Sequence, residues 1–136
     1  MIHSDTSALI EAWAATWSSG NVEQLLALFT DDCRYEDVTV QYVNEGRAAL
    51  QDFAQKVLTA FPHYQMKLTR WFTTGDSGAA EWIATGTHQF DFPGLPATGN
   101  QFQVRGASLF EFRAGKICRV SDYWDLLSSG LLPSHE

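Results

Sequence analysis

The chain has 136 residues, 45% of them hydrophobic, which suits one folded domain with a real core and argues against disorder. Its formal charge is −7 and its nine Lys and Arg residues are scattered, so it lacks the basic groove that nucleic acid needs and has no attraction for an anionic membrane surface. No apolar run approaches the roughly 18 to 20 residues that span a bilayer, and Met1-Ile2-His3-Ser4-Asp5 lacks the layout of a secretion signal, so a cytoplasmic location is expected.

Ala8, Leu9, Ala12, Trp13, Thr16 and Trp17 recur in steps of three and four, which predicts an amphipathic helix over residues 5–19. Gly20 suits the left-handed position after its end. Asn21 then opens a second helix, with Gln24 completing a capping-box pattern and Leu25, Leu26, Leu28 and Phe29 on its inner face. Residues 33–40 read as a strand or extended arm. A third helix runs from Gly46-Arg47 to about Ala60, with Leu50, Phe53, Ala54, Val57 and Leu58 as its stripe and Pro62 as its stop.

After Pro62 the period becomes two. Strands are predicted over 64–74, 79–88, 100–113 and 116–125, with turns at Gly75-Asp76-Ser77-Gly78 and Ala114-Gly115 and a loop over 90–99. Residues 126–136 carry no clear pattern. Three helices followed by an antiparallel meander make a single α+β domain, residues 1–136, with helices on one face of a curved sheet. Aromatic residues, five Trp and nine Phe among them, suit a dense core or an aromatic-walled cavity. Cys33 and Cys118 stand far apart and read as buried thiols.

Alternation along the last strand places Cys118, Val120, Asp122 and Trp124 on one face, apolar except at Asp122. A carboxyl among apolar neighbours has a raised pKa, which suits general acid/base work near neutral pH. Pairing with an Arg or capping of backbone amides is the structural alternative. On the preceding strand Phe102, Val104, Gly106, Ser108, Phe110 and Phe112 share a face, and before that Ala80, Trp82, Ala84, Gly86 and His88 do. His88 can shuttle a proton or orient a carboxylate, or serve the fold. Arg105 reads as a surface residue. In Tyr35-Glu36-Asp37, Tyr35 and Asp37 share a side, at a pocket mouth or on a solvated edge. His3, His63, His88 and His135 are dispersed and no Cys-x-x-Cys occurs, so no metal cluster is expected.

Several fragments together resemble a known family. Gly20-Asn21 with Leu25, Leu28-Phe29 and Asp31-Asp32, then Gly46 to Leu50 and Phe61-Pro62, are similar to the nuclear transport factor 2-like superfamily. Gly86-Thr87-His88, Pro96 to Gly99, Val104-Arg105-Gly106, Gly115-Lys116-Ile117 and Asp122 to Asp125 resemble the SnoaL-like polyketide cyclases. The resemblance implies a cone-shaped α+β fold, with three N-terminal helices and a curved, mixed or antiparallel sheet enclosing a pocket. It also implies a homodimer and no metal or organic cofactor.

In those cyclases an aspartate at the position of Asp122 is the acid/base of an intramolecular aldol closure. Steroid isomerases of the superfamily use a base where Asp37 stands, but their two oxyanion donors are replaced here by Trp13 and Ser108. Epoxide hydrolases of the limonene type use two aspartates joined by an arginine. Asp122 and Asp91 match the aspartates, while Gln89 replaces the arginine.

These readings give a cofactor-independent cyclase, isomerase or lyase acting on a small hydrophobic oxygenated molecule. Asp122, His88 and Asp37 are the expected polar groups of its site. Trp13, Tyr35, Trp82, Phe102, Ser108, Phe110 and Trp124 are the expected binding residues. The rival expectations are a non-catalytic binding module of the same fold and an epoxide hydrolase with an altered triad.

Overall fold

A computed structural model describes residues 6–133; His3 and His135 lie outside the described residues. The elements run α1 (Thr6–Ser19), α2 (Val22–Ala27), β1 (Phe29–Asp37), β2 (Tyr42–Glu45), α3 (Arg47–Ala60), β3 (Gln65–Thr74), β4 (Ser77–Thr87), β5 (Gln101–Arg113) and β6 (Lys116–Trp124). The six strands form one curved sheet in the order β2-β1-β6-β5-β4-β3. Helix α1 packs on β3 and α3 on β1 and β2, enclosing the core between helices and sheet.

The helices form where the spacing predicts them. Ile10, Trp13, Ala14 and Trp17 are the buried stripe of α1, and Leu50, Phe53, Ala54 and Val57 that of α3. Asn21 caps α2 by accepting from Gln24 N at 3.0 Å. Phe29, however, is not on the inner face of α2. The helix ends at Ala27, and Phe29 opens β1 because it pairs with Ile117 while Leu28 O accepts from Ile117 N at 2.8 Å. A long-range ladder overrides the local helical pattern at that point.

Three further differences come from backbone geometry. The expected arm over 33–40 is a hairpin of β1 and β2, reversing through residues 38–41 with Gln41 at φ 59°. Glutamine is an unusual residue for that conformation and carries no turn signal. The sheet is mixed, because β1 runs parallel to β6. In β6 a bulge shifts the register, so Ile117 is fully buried while Cys118 is half-buried, reversing the expected alternation at that end. Beyond the bulge, Val120 and Asp122 point inward as alternation requires.

The wide end of the cone is closed by two irregular segments. The 88–100 loop folds on itself through reciprocal bonds between Phe92 and Leu95, 3.0 and 2.7 Å. The segment after β6 is tied down by Gln103 N to Ser129 O at 3.1 Å and Asn100 Nδ2 to Gly130 O at 3.2 Å, which brings Leu131 into the interior.

Candidate active site

Asp37 ends β1 and Asp122 nears the end of β6, and the two are register partners across the parallel pairing. Side chains of paired residues in parallel strands project to the same face, so both carboxyls enter the same cavity. Asp37 is 8% and Asp122 7% exposed. The cavity has a volume of about 70 Å³, and no Lys, Arg or His is among the described residues that line it. Nine of its seventeen lining residues are aromatic, so the carboxyls face rings and not counter-charges.

Two relays converge on Asp122. Ser108 Oγ donates to Asp122 Oδ1 at 2.5 Å, and Ser108 itself accepts from Trp82 Nε1 at 2.9 Å. Tyr35 is hydrogen-bonded to Asp122 through its hydroxyl, which accepts from Trp13 Nε1 at 3.3 Å. Each hydroxyl thus receives an indole N–H and passes its own proton toward the carboxyl. Gly106 makes the first relay possible. A Cβ there would stand 2.5 Å from the Trp82 indole, so a side chain at 106 would push the ring off its course to Ser108.

Asp37 has separate support. Trp124 Nε1 lies 2.9 and 3.0 Å from its two oxygens, and Val40 N donates to Oδ1 at 3.2 Å. Thr39 Oγ1 fixes that indole by accepting from Trp124 N at 2.8 Å and donating to Trp124 O at 2.9 Å.

Burial pushes the Asp122 carboxyl up to about 7, and the neighbouring Asp37 charge adds to the rise, against the lowering effect of the Ser108 and Tyr35 hydrogen bonds. Burial also raises Asp37, partly offset by the Trp124 and Val40 donors. Asp122 is therefore poised to take up or release a proton near neutral pH, next to a second buried carboxyl whose pKa is also raised. Two neighbouring carboxyls, one of them exchanging its proton near neutrality, can serve as base and acid in turn, which is what enolisation and aldol closure require.

The structure brings together most residues singled out from the sequence. Tyr35, Asp37, Trp82, Phe102, Asp122 and Trp124 line the cavity. Trp13, Ser108 and Phe110 stand behind it, with the Phe110 ring packed edge-on against Trp13 at 4.9 Å. His88 is placed differently from the expectation and does not line the cavity. Its Nε2 bonds Leu95 O at 3.1 Å and its Nδ1 the Thr98 hydroxyl at 3.2 Å, so both ring nitrogens are occupied in holding the 88–100 loop. Arg105 is exposed, as read from the sequence. Gln89 and Asp91 are exposed loop residues, and Asp91 Oδ1 accepts from Ala97 N at 2.7 Å, so the epoxide hydrolase triad is not assembled.

Sequence reasoning missed Trp17, Phe53, Phe61, Tyr64, Phe92 and Leu131 as cavity residues. Tyr64 shares parity with Met66, another lining residue, and that was its available signal. Among the described residues no group of three or more His, Cys, Asp or Glu is placed to hold a metal ion. No helix among them is long and apolar enough to cross a membrane.

Known proteins share this architecture. Cyclase aurE of Calcarisporium arbuscula is 27% identical over 113 residues, 81% of this chain and 79% of that protein. A solved protein from Catenulispora acidiphila with a ketosteroid isomerase-like fold, in complex with trimethylamine, is 26% identical with a TM-score of 0.77, covering 92% of this chain and 93% of its own. TsrD from Streptomyces laurentii, 20% identical, shares the fold at a TM-score of 0.80 over 94% of this chain and 93% of its own. The profile of SnoaL-like polyketide cyclases matches residues 7–130. The chain belongs to the SnoaL-like polyketide cyclase family.

Proposed function

We propose that the protein is a cofactor-independent acid/base enzyme that closes or isomerises a small hydrophobic carbonyl compound, in the manner of an aldol cyclase. The observation that carries this reading is the buried Asp37–Asp122 pair, with one carboxyl poised near neutrality and no cationic side chain among the described residues that line the cavity. Asp37, as carboxylate, takes the proton alpha to a carbonyl. The resulting enolate carbon attacks a second carbonyl, and Asp122 delivers its proton to the oxygen of the new alkoxide. One proton moved between the neighbouring carboxyls resets the pair. His88 serves this chemistry indirectly, by holding the loop that contributes Phe92 and Leu95 to the cavity wall. The test is turnover of a panel of polyketide methyl esters by wild type and Asp122→Asn. Equal turnover by the two proteins refutes the assignment.

A second reading is favoured by the missing counter-charge. Two carboxyls within aromatic walls suit a small organic cation, which rings and carboxylates stabilise together. The trimethylamine bound by the Catenulispora relative is of that class. Calorimetry with trimethylammonium against tert-butyl alcohol, an uncharged molecule of similar shape, separates a cation-binding module from the enzyme. Preference for the cation without turnover of any carbonyl substrate supports the module.

We also propose a homodimer formed through the outer face of the sheet. Phe72, Leu109 and Tyr123 point outward there and are 65%, 53% and 46% exposed. Apolar side chains grouped on a sheet face are stabilised by covering.

A further inference from the structure

Tyr64 stands immediately before β3, in the cavity wall, with its ring 6.0 Å from Trp17 and 6.4 Å from Phe102. The other polar groups of the cavity are engaged: Tyr35 with Trp13 and Asp122, and Asp37 with Trp124. The Tyr64 hydroxyl has no hydrogen-bond partner among the described residues. The buried Nε1 of Trp17, whose ring lies 6.0 Å from that of Tyr64, is likewise without a partner among the described residues. A buried donor left unpaired is costly, and the Trp17 N–H, in the same cavity wall as the half-buried Tyr64 phenol, calls for an acceptor that arrives from outside.

We propose that Tyr64, with the Trp17 N–H beside it, binds the carbonyl oxygen of the substrate and holds the negative charge that gathers on it. This deepens the acid/base reading and rests on it. When the C–H bond alpha to that carbonyl breaks, its proton goes to Asp37 and its electron pair moves onto the carbonyl oxygen. The Tyr64 O–H donates to that oxygen throughout and keeps its own proton. Burial and the charges of Asp122 and Asp37 push the Tyr64 pKa well above its ordinary value, so the phenol does not surrender its proton to the pair. Tyr64 and Asp37 line the same cavity, so one bound molecule can meet a donor for its oxygen and a base for its alpha proton.

The test uses cyclopentanone carrying ¹³C at the carbonyl, with methylenecyclopentane as the isostere that cannot accept a hydrogen bond. In the wild-type protein the bound ketone shows a C=O stretch moved to lower frequency and binds more tightly than the alkene. Tyr64→Phe keeps the ring contacts, returns the band toward its value in an apolar solvent, and weakens ketone binding by about 3- to 10-fold while sparing the alkene. Trp17→Phe moves the band in the same direction by less. An unmoved band in Tyr64→Phe, or a wild-type protein that binds the ketone no better than the alkene, overturns the proposal. Asp122→Asn keeps the shifted band, so the donor is read without turnover. A band that depends on Tyr64 in a protein that turns over no carbonyl substrate upholds the donor and removes the acid/base reading.

Discussion

Asp37 and Asp122 meet as register partners on parallel strands, so two carboxyls that repel each other when ionised are held side by side by backbone hydrogen bonds. Neither has a cation to relieve it among the described lining residues. Burial and the Asp37 charge together raise Asp122 to about 7, so the repulsion is relieved when Asp122 takes up a proton.

Activity should fall as Asp122 loses its proton. With Asp122 near 7, kcat/KM for a carbonyl substrate declines above about pH 7. The acidic limb follows protonation of Asp37, which burial also raises. Asp122→Asn should lower kcat by about 10²- to 10⁴-fold, the usual share of one acid/base group. Any residual rate should lack the alkaline limb.

Stability should show the same group with a defined sign. Asp122 binds its proton more tightly folded, near 7, than at its ordinary value of 3.8. The native state therefore loses stability as pH rises from about 4 to 7, by at most ~4 kcal/mol, and the loss levels off above that. Asp122→Asn should be more stable than wild type at pH 8 and no more stable at pH 4. Urea titrations at the two pH values read the difference.

Gly106→Ala tests the Trp82 relay from a residue that touches no substrate. The added methyl meets the indole at 2.5 Å and must displace it. Overpacking of this kind costs about 1 to 3 kcal/mol. Loss of the Trp82 donor to Ser108 should change both the indole emission and the alkaline limb of the pH–rate profile. Unchanged values for both would show that the relay does not reach Asp122.

The outer face gives a separate outcome. Leu109→Glu places a charge in the exposed apolar patch and should convert a dimer to a monomer in light scattering, leaving the fold intact by circular dichroism. A wild-type protein that is monomeric at all concentrations removes the dimer proposal.

Much of this site was legible in the sequence, for a simple reason. Ser108 and Asp122 interrupt otherwise apolar faces of their strands, and period-two alternation exposes such interruptions. Alternation cannot say which strand lies beside which, so it left Asp37 undecided between pocket and solvated edge. The parallel partner that decides it comes from the far end of the chain. The same limit hid the bulge at Cys118, because an extra residue in a ladder leaves no compositional trace. His88 failed as a site residue because backbone and hydroxyl partners from its own loop take both nitrogens, a competition that parity does not register. Tyr64 was passed over because a phenol at a strand entry looks the same whether or not its hydroxyl has a partner.

The parallel junction also makes the site depend on contacts between distant parts of the chain. Asp37 and the indole that supports it, Trp124, are 87 residues apart in sequence, so their hydrogen bond closes only when distant parts of the chain have come together. Without β6 beside β1, Asp37 is a lone carboxyl on an unfinished edge. The paired carboxyls and their indole support are therefore completed together, by the long-range seating of β6 between β1 and β5.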